Sequence, residues 1–145
     1  MSTCLTLHMA KQLMEIIEKR AESLGQKAVI ALCNAHGNPI AVHCMDDAFL
    51  VSYDVATKKA YTSVAVKMST MELSKLAQPG GTFYGVDKLD GGRIVIFGGG
   101  IPLKADGEIV GGRLILIDTI AAPEGAACFI PIAYITLFSL LIFPL

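Results

Sequence analysis

Apolar residues recur at three- and four-residue spacing near the start of the chain, at Ala10, Leu13, Met14, Ile17, Ala21 and Leu24. That period predicts an amphipathic first helix, with Thr6 placed to cap its N-terminus and Gly25 to close it. The pattern then shortens. AVIALC (residues 28–33) and IAVHCM (40–45) are brief and partly β-branched, and NAHGNP between them supplies turn residues, so the pair reads as a hairpin with His43 and Met45 on one face. Ser52 or Asp54 opens a second helix running to about Lys67, and TMELSKLA adds a shorter one before QPGGTFYG breaks the chain. A third strand is predicted over Arg93–Phe97, and Arg113–Ile117 has the aliphatic residues to complete another.

Between those last two segments lies FGGGIPLKADGEIVGG (97–112), with five glycines besides an Asp-Gly pair's own turn signal. Asp106-Gly107 tolerates the positive φ angles of a tight connection, which predicts a second hairpin. In the simplest register Ala105 faces Glu108, Pro102 faces Gly111, Ile101 faces Gly112 and Gly100 faces Arg113. The strand bases then present a floor with few side chains. Such a floor carries either a closely packed helix or a flat or anionic ligand, for which Gly99, Gly100, Pro102, Gly111 and Gly112 would supply the surface. A phosphate loop is excluded, because the stretch lacks G-x-x-x-x-G-K-[ST] and leads into a strand instead of a helix N-terminus.

A chain of 145 residues suits one domain with a usable core. Its formal net charge of −1 gives no electrostatic footprint for nucleic acid or an anionic membrane. Cys4, Cys33, Cys44 and Cys128 have no C-x-x-C or zinc-ligand spacing and read as reduced thiols. MSTCLTLHMAKQ lacks the layout of a secretory signal, so the expected location is cytoplasmic. The hydrophobic fraction of 53% is inflated by Gly125–Leu145, an uncharged run interrupted by Pro131 and Pro144. Although long enough to span a bilayer, this run has no basic anchor after it, and the expectation is a domain over residues 1–124 with a tail over 125–145 packed on it or on a partner subunit.

CMDDA (44–48), SYDVATKKAYTS (52–63) and FGGGIPLKADGEIVGG (97–112), together with the LT opening of the first helix, occur in one order. As an ordered set they resemble the GlcG/HbpS family, which includes small haem-binding proteins and a domain appended to PduO-type corrinoid adenosyltransferases. The likeness covers residues 5–112. It implies an α+β, profilin-like fold, an antiparallel sheet flanked by helices, and assembly into homo-oligomers. Two departures stand out. Where the family usually carries R-M-D-G-A, this chain has Cys44, Met45, Asp46, Asp47 and Ala48, losing an arginine. After Gly112, where the family typically continues G-V-S-G-G into an acidic helix, the chain reads RLILIDTIAAPEGAACF onward. A change of reading frame in the gene would produce that break, and translating the locus in its other frames tests it.

The resemblance implies a tetrapyrrole such as haem, with cobalamin as the alternative cofactor. His8 corresponds to a position where some haem-binding relatives have histidine, and neutral imidazole is a common axial ligand. His43, from a sheet face, ranks second, and His36 in the turn reads as solvated. Asp54 and Lys58, one turn apart on the second helix, form a surface pair or line a pocket beside the glycine floor. No nucleophile elbow, metalloprotease helix or paired-carboxylate pattern is present, so haem degradation enters by resemblance only. The three readings are a tetrapyrrole-binding protein, an accessory of cobalamin-dependent diol or glycerol metabolism, and an oligomeric module without a cofactor.

Overall fold

Thr6 opens the first element of the computed structural model, in which residues 4–118 are described. Its side chain accepts the amide of Met9 at 3.2 Å and starts α1, Leu7–Ser23. Ala10, Met14, Ile17 and Ala21 form the buried stripe, Leu13 packs at its margin, and Leu24 is exposed just past the end. Burying a side chain such as Met14 or Ile17 is worth roughly 1.5–3 kcal/mol, so the stripe fixes which way the helix faces.

The hairpin consists of β1, Lys27–Asn34, and β2, Pro39–Cys44. Asn34 shapes the turn, because its Oδ1 accepts the amides of His36 at 2.9 Å and Asn38 at 3.0 Å. Two layers use β1 at once: Ala28, Ile30 and Leu32 pack with α1, whereas Val29, Ala31 and Cys33 pack against α2, Ser52–Ala65. The short α3, Thr70–Leu76, starts at a reciprocal cap in which Ser69 Oγ accepts the Glu72 amide and the Glu72 carboxylate accepts the Ser69 amide. Two single-turn 3-10 segments, Val86–Lys88 and Asp90–Gly92, precede β3, Gly100–Ala105, and β4, Glu108–Asp118.

The strands form one antiparallel sheet in the order β2-β1-β4-β3, with α1 and α2 on opposite faces. This is the α+β architecture that the sequence predicts. The Asp106-Gly107 turn is also as predicted, with φ of 50° and 81°.

Two expectations need correction. Residues 93–97 are not a strand, because α2 engages their backbone: the buried Thr62 hydroxyl accepts the Val95 amide at 3.0 Å, and its own proton is shared between the Lys58 carbonyl at 2.8 Å and the Arg93 carbonyl at 3.3 Å. The β3–β4 register is displaced by one residue beyond a bulge between Leu103 and Lys104. Lys104 pairs with Ile109, but Leu103 pairs with Gly111, Pro102 with Gly112 and Ile101 with Arg113. A one-residue slip changes which side chains share a face. Gly100 and Gly112, on opposite faces in the simple register, both come to lie under α2. The expected tail over 125–145 and Cys128 lie outside the described residues.

Two outcomes follow from this packing. Gly112→Ala is expected to lower stability by roughly 2 kcal/mol or more, read from the urea midpoint, because the new methyl meets α2; Glu22→Ala, at an exposed site of α1, should change it little. Burial pushes the Cys33 thiol up to about 11, against hydrogen bonding that favours its thiolate. Iodoacetamide at pH 8 is therefore expected to label Cys4 and Cys44 in the native protein and Cys33 only after unfolding, as read by peptide mapping.

Candidate functional site

The glycine floor is occupied by the protein itself. A Cβ at Gly112 would meet the Ala60 carbonyl and stand 2.7 Å from Ser63 Oγ and 2.8 Å from Val64 Cγ2. One at Gly100 would meet the Lys59 carbonyl and stand 2.8 Å from Thr70 Cγ2. The bare strand bases thus let α2 approach the sheet closely, and the open cleft expected between them and α2 is not formed. Pro102 is opposite Gly112 on this covered face, and Gly99 leads into β3 with a φ of 128°. Gly111 belongs to the other face, where a Cβ would stand 3.1 Å from Leu5 Cδ2. Asp54 and Lys58 pair at 2.8 Å on the outer side of α2, away from the sheet-facing Ala56, Ala60 and Val64. They form a solvated ion pair and do not meet the glycines.

The histidines differ in what they touch. His8 lies in the first turn of α1, exposed, and has no hydrogen-bond or ion-pair partner among the described residues. His43 projects from β2 to α1, where its Nδ1 contacts the Glu18 carboxylate. His36 is exposed in the hairpin turn. The protein therefore leaves the imidazole of His8 available and engages that of His43. Among the described residues no group of three or more histidine, cysteine or carboxylate side chains could hold a metal ion.

Sequence reasoning missed two buried cations. Lys59, 3% exposed, donates from Nζ to the Gly98 carbonyl at 2.8 Å and lies 4.1 Å from the Phe97 ring centroid. It ties α2 to the segment before β3. Arg113, 5% exposed on β4, has no acceptor for its Nε, and burial pushes its guanidinium down to about 10, so it stays charged at neutral pH. A signal was present: an arginine between Gly112 and the aliphatic run that follows is an uncommon residue for a central strand. A further network fastens the 3-10 region to α2. Arg93 stacks 3.7 Å from the Tyr61 ring centroid and pairs with Asp90 at 3.6 Å, while a hydrogen bond to Asp90 is the main effect raising the Tyr61 phenol.

No helix among the described residues is long and apolar enough to cross a membrane. Over residues 5–115 the chain matches the family described as haem degrading protein HbpS-like. The corrinoid adenosyltransferase PduO of Salmonella typhimurium is 42% identical over 108 residues, which are 74% of this chain but 32% of that protein, so the chain spans about a third of this relative. An uncharacterised 15.0 kDa protein of the dhaT-dhaS intergenic region of Citrobacter freundii is 33% identical over 130 residues, 86% of this chain and 92% of that one. Among solved structures, a PduOC:haem complex superposes with a TM-score of 0.77 at 39% identity, covering 81% of this chain and 86% of that one. A match over residues 5–115, which runs from before α1 through all but the end of β4, makes this chain a member of the HbpS-like family.

Proposed function

We propose that this chain binds a tetrapyrrole, haem, at the end of the sheet where α1 begins, with His8 as the residue that holds the iron. The likeness to the PduOC:haem complex is the observation that carries the ligand class. The choice of residue rests on availability: His8 is exposed and without a partner among the described residues, whereas His43 would have to leave Glu18. A neutral imidazole nitrogen is a suitable axial donor. When bound, haem supplies an iron centre open to redox chemistry; the chain's own contribution is to seat and orient it. The glycine floor is not the seat, because α2 fills it.

Homo-oligomeric assembly is part of this reading. Phe49, Leu50, Val51 and Tyr53 form an exposed apolar run at the start of α2, and Phe83, Tyr84 and Leu89 are exposed near the 3-10 segments. Sedimentation velocity checks the assembly, and a monomer at all concentrations would remove it. Free thiols at Cys4, Cys33 and Cys44 support a reducing, cytoplasmic location. A second reading, an accessory of cobalamin-dependent metabolism, is favoured by the identity to PduO.

Titration of the purified protein with haemin is expected to give a shifted Soret band that His8→Ala loses and His43→Ala retains. Equal binding by both variants would refute the role of His8, and no binding by the wild type would refute the haem reading. Cobalamin retained in equilibrium dialysis under the same conditions, with haemin not bound, would select the second reading.

A further inference from the structure

Arg113 stands on β4, one of the two inner strands, with Leu32 of β1 and Ile101 of β3 as its register partners. Paired residues share a face of a sheet. Leu32 belongs to the apolar cluster that includes Leu5, Met14 and Ile17, so the guanidinium is placed on the α1 face. Among the described residues it joins no ion pair, and its Nε has no acceptor. The carboxylates of α1 are engaged elsewhere or solvated: Glu15 pairs with Lys19, Glu18 with His43, and Glu22 is exposed. A cation removed from water without a counter-charge is strongly disfavoured, and an anion placed beside it offsets that cost.

Leu5 fixes what lies near this cation. Its side chain packs at Gly111, which is one strand repeat from Arg113 on the same face. His8 follows Leu5 by three residues, in the first turn of α1. The half-buried Ile101 and Leu103 also belong to this face, as the register partners of Arg113 and Gly111. The fold therefore brings an apolar surface and a buried cation, unpaired among the described residues, to one end of one sheet face, next to the first turn of α1, whose solvent side carries the available imidazole of His8. Haem has the complementary chemistry, a flat apolar body with carboxylates along one edge.

We propose that Arg113 receives a carboxylate side chain of the bound tetrapyrrole; the proposal rests on the tetrapyrrole reading and names its anionic anchor. The planar guanidinium suits the task, because it can donate two parallel hydrogen bonds to one carboxylate, which an ammonium cannot. Ile101 and Leu32 exclude water on either side and strengthen the pairing.

The full-length protein titrated with haemin and with haemin dimethyl ester, whose carboxylates are blocked, tests this. The wild type is expected to bind haemin about tenfold or more tighter than the ester. Arg113→Leu should abolish that preference while keeping the affinity for the ester, and Arg113→Lys should keep part of it. Independently, ligand-free Arg113→Leu is expected to unfold at a higher urea concentration than the wild type, because a buried unpaired charge has been removed. Equal binding of both ligands by the wild type, with the Soret response intact, overturns the anchor and leaves the haem reading standing. No response to either ligand overturns both. A lower unfolding midpoint for Arg113→Leu would mean that Arg113 already has an anionic partner without ligand, which also overturns the proposal.

Discussion

The approach of α2 to the sheet at Gly100 and Gly112 is the constraint from which the other placements follow. The backbone carbonyls of Lys59 and Ala60 occupy the space where Cβ atoms would stand, so no other residue type fits at those positions without moving the helix. With α2 seated there, Thr62 reaches the backbone of Arg93 and Val95, and Lys59 reaches the Gly98 carbonyl. The segment before β3 is held by a helix where a sheet neighbour was expected. The glycine richness that invites a ligand-binding interpretation has, on this face, a packing cause.

The same close contact leaves no room for a ligand between α2 and the sheet at Gly100 and Gly112, so the proposed haem lies at the sheet's other face and end. There α1 begins, Leu5 packs at Gly111, and Arg113 lies buried beside apolar residues with no counter-charge among the described residues. A stable domain rarely keeps such a group in its interior without a use, since replacing it by an aliphatic side chain would usually be neutral or stabilising. The available His8 and the engaged His43 fit one division of labour: one imidazole is left free, while the other joins β2 to α1 through Glu18.

Bulge and turn together decide the chemistry of β4. Asp106-Gly107 sets the hairpin, but the irregularity at Leu103 and Lys104 shifts every pairing beyond it by one. Gly112 is thereby turned to α2 and Arg113 to α1. Without that extra residue the two glycines would fall on different faces and α2 would have only half of its bare surface. A single unpaired position thus links helix seating to the placement of a charge.

From the sequence alone, the first helix, both hairpins, the second and third helices, the α+β class and the family were legible, because each rests on local signals: helical spacing from Ala10 to Ala21, caps at Thr6 and Gly25, turn residues at Asn34 and Asp106-Gly107, and motifs in a fixed order. His8 and Arg113 were equally visible as residue types, but not their surroundings. Only the tertiary structure decided that the glycine floor carries a helix, that Asp54 and Lys58 pair on the outer side of α2, that residues 93–97 bond to Thr62 rather than to a strand, and that Arg113 is buried with no partner for its Nε among the described residues. Those outcomes depend on which distant groups approach one another, and on a one-residue register choice that the local pattern satisfies either way.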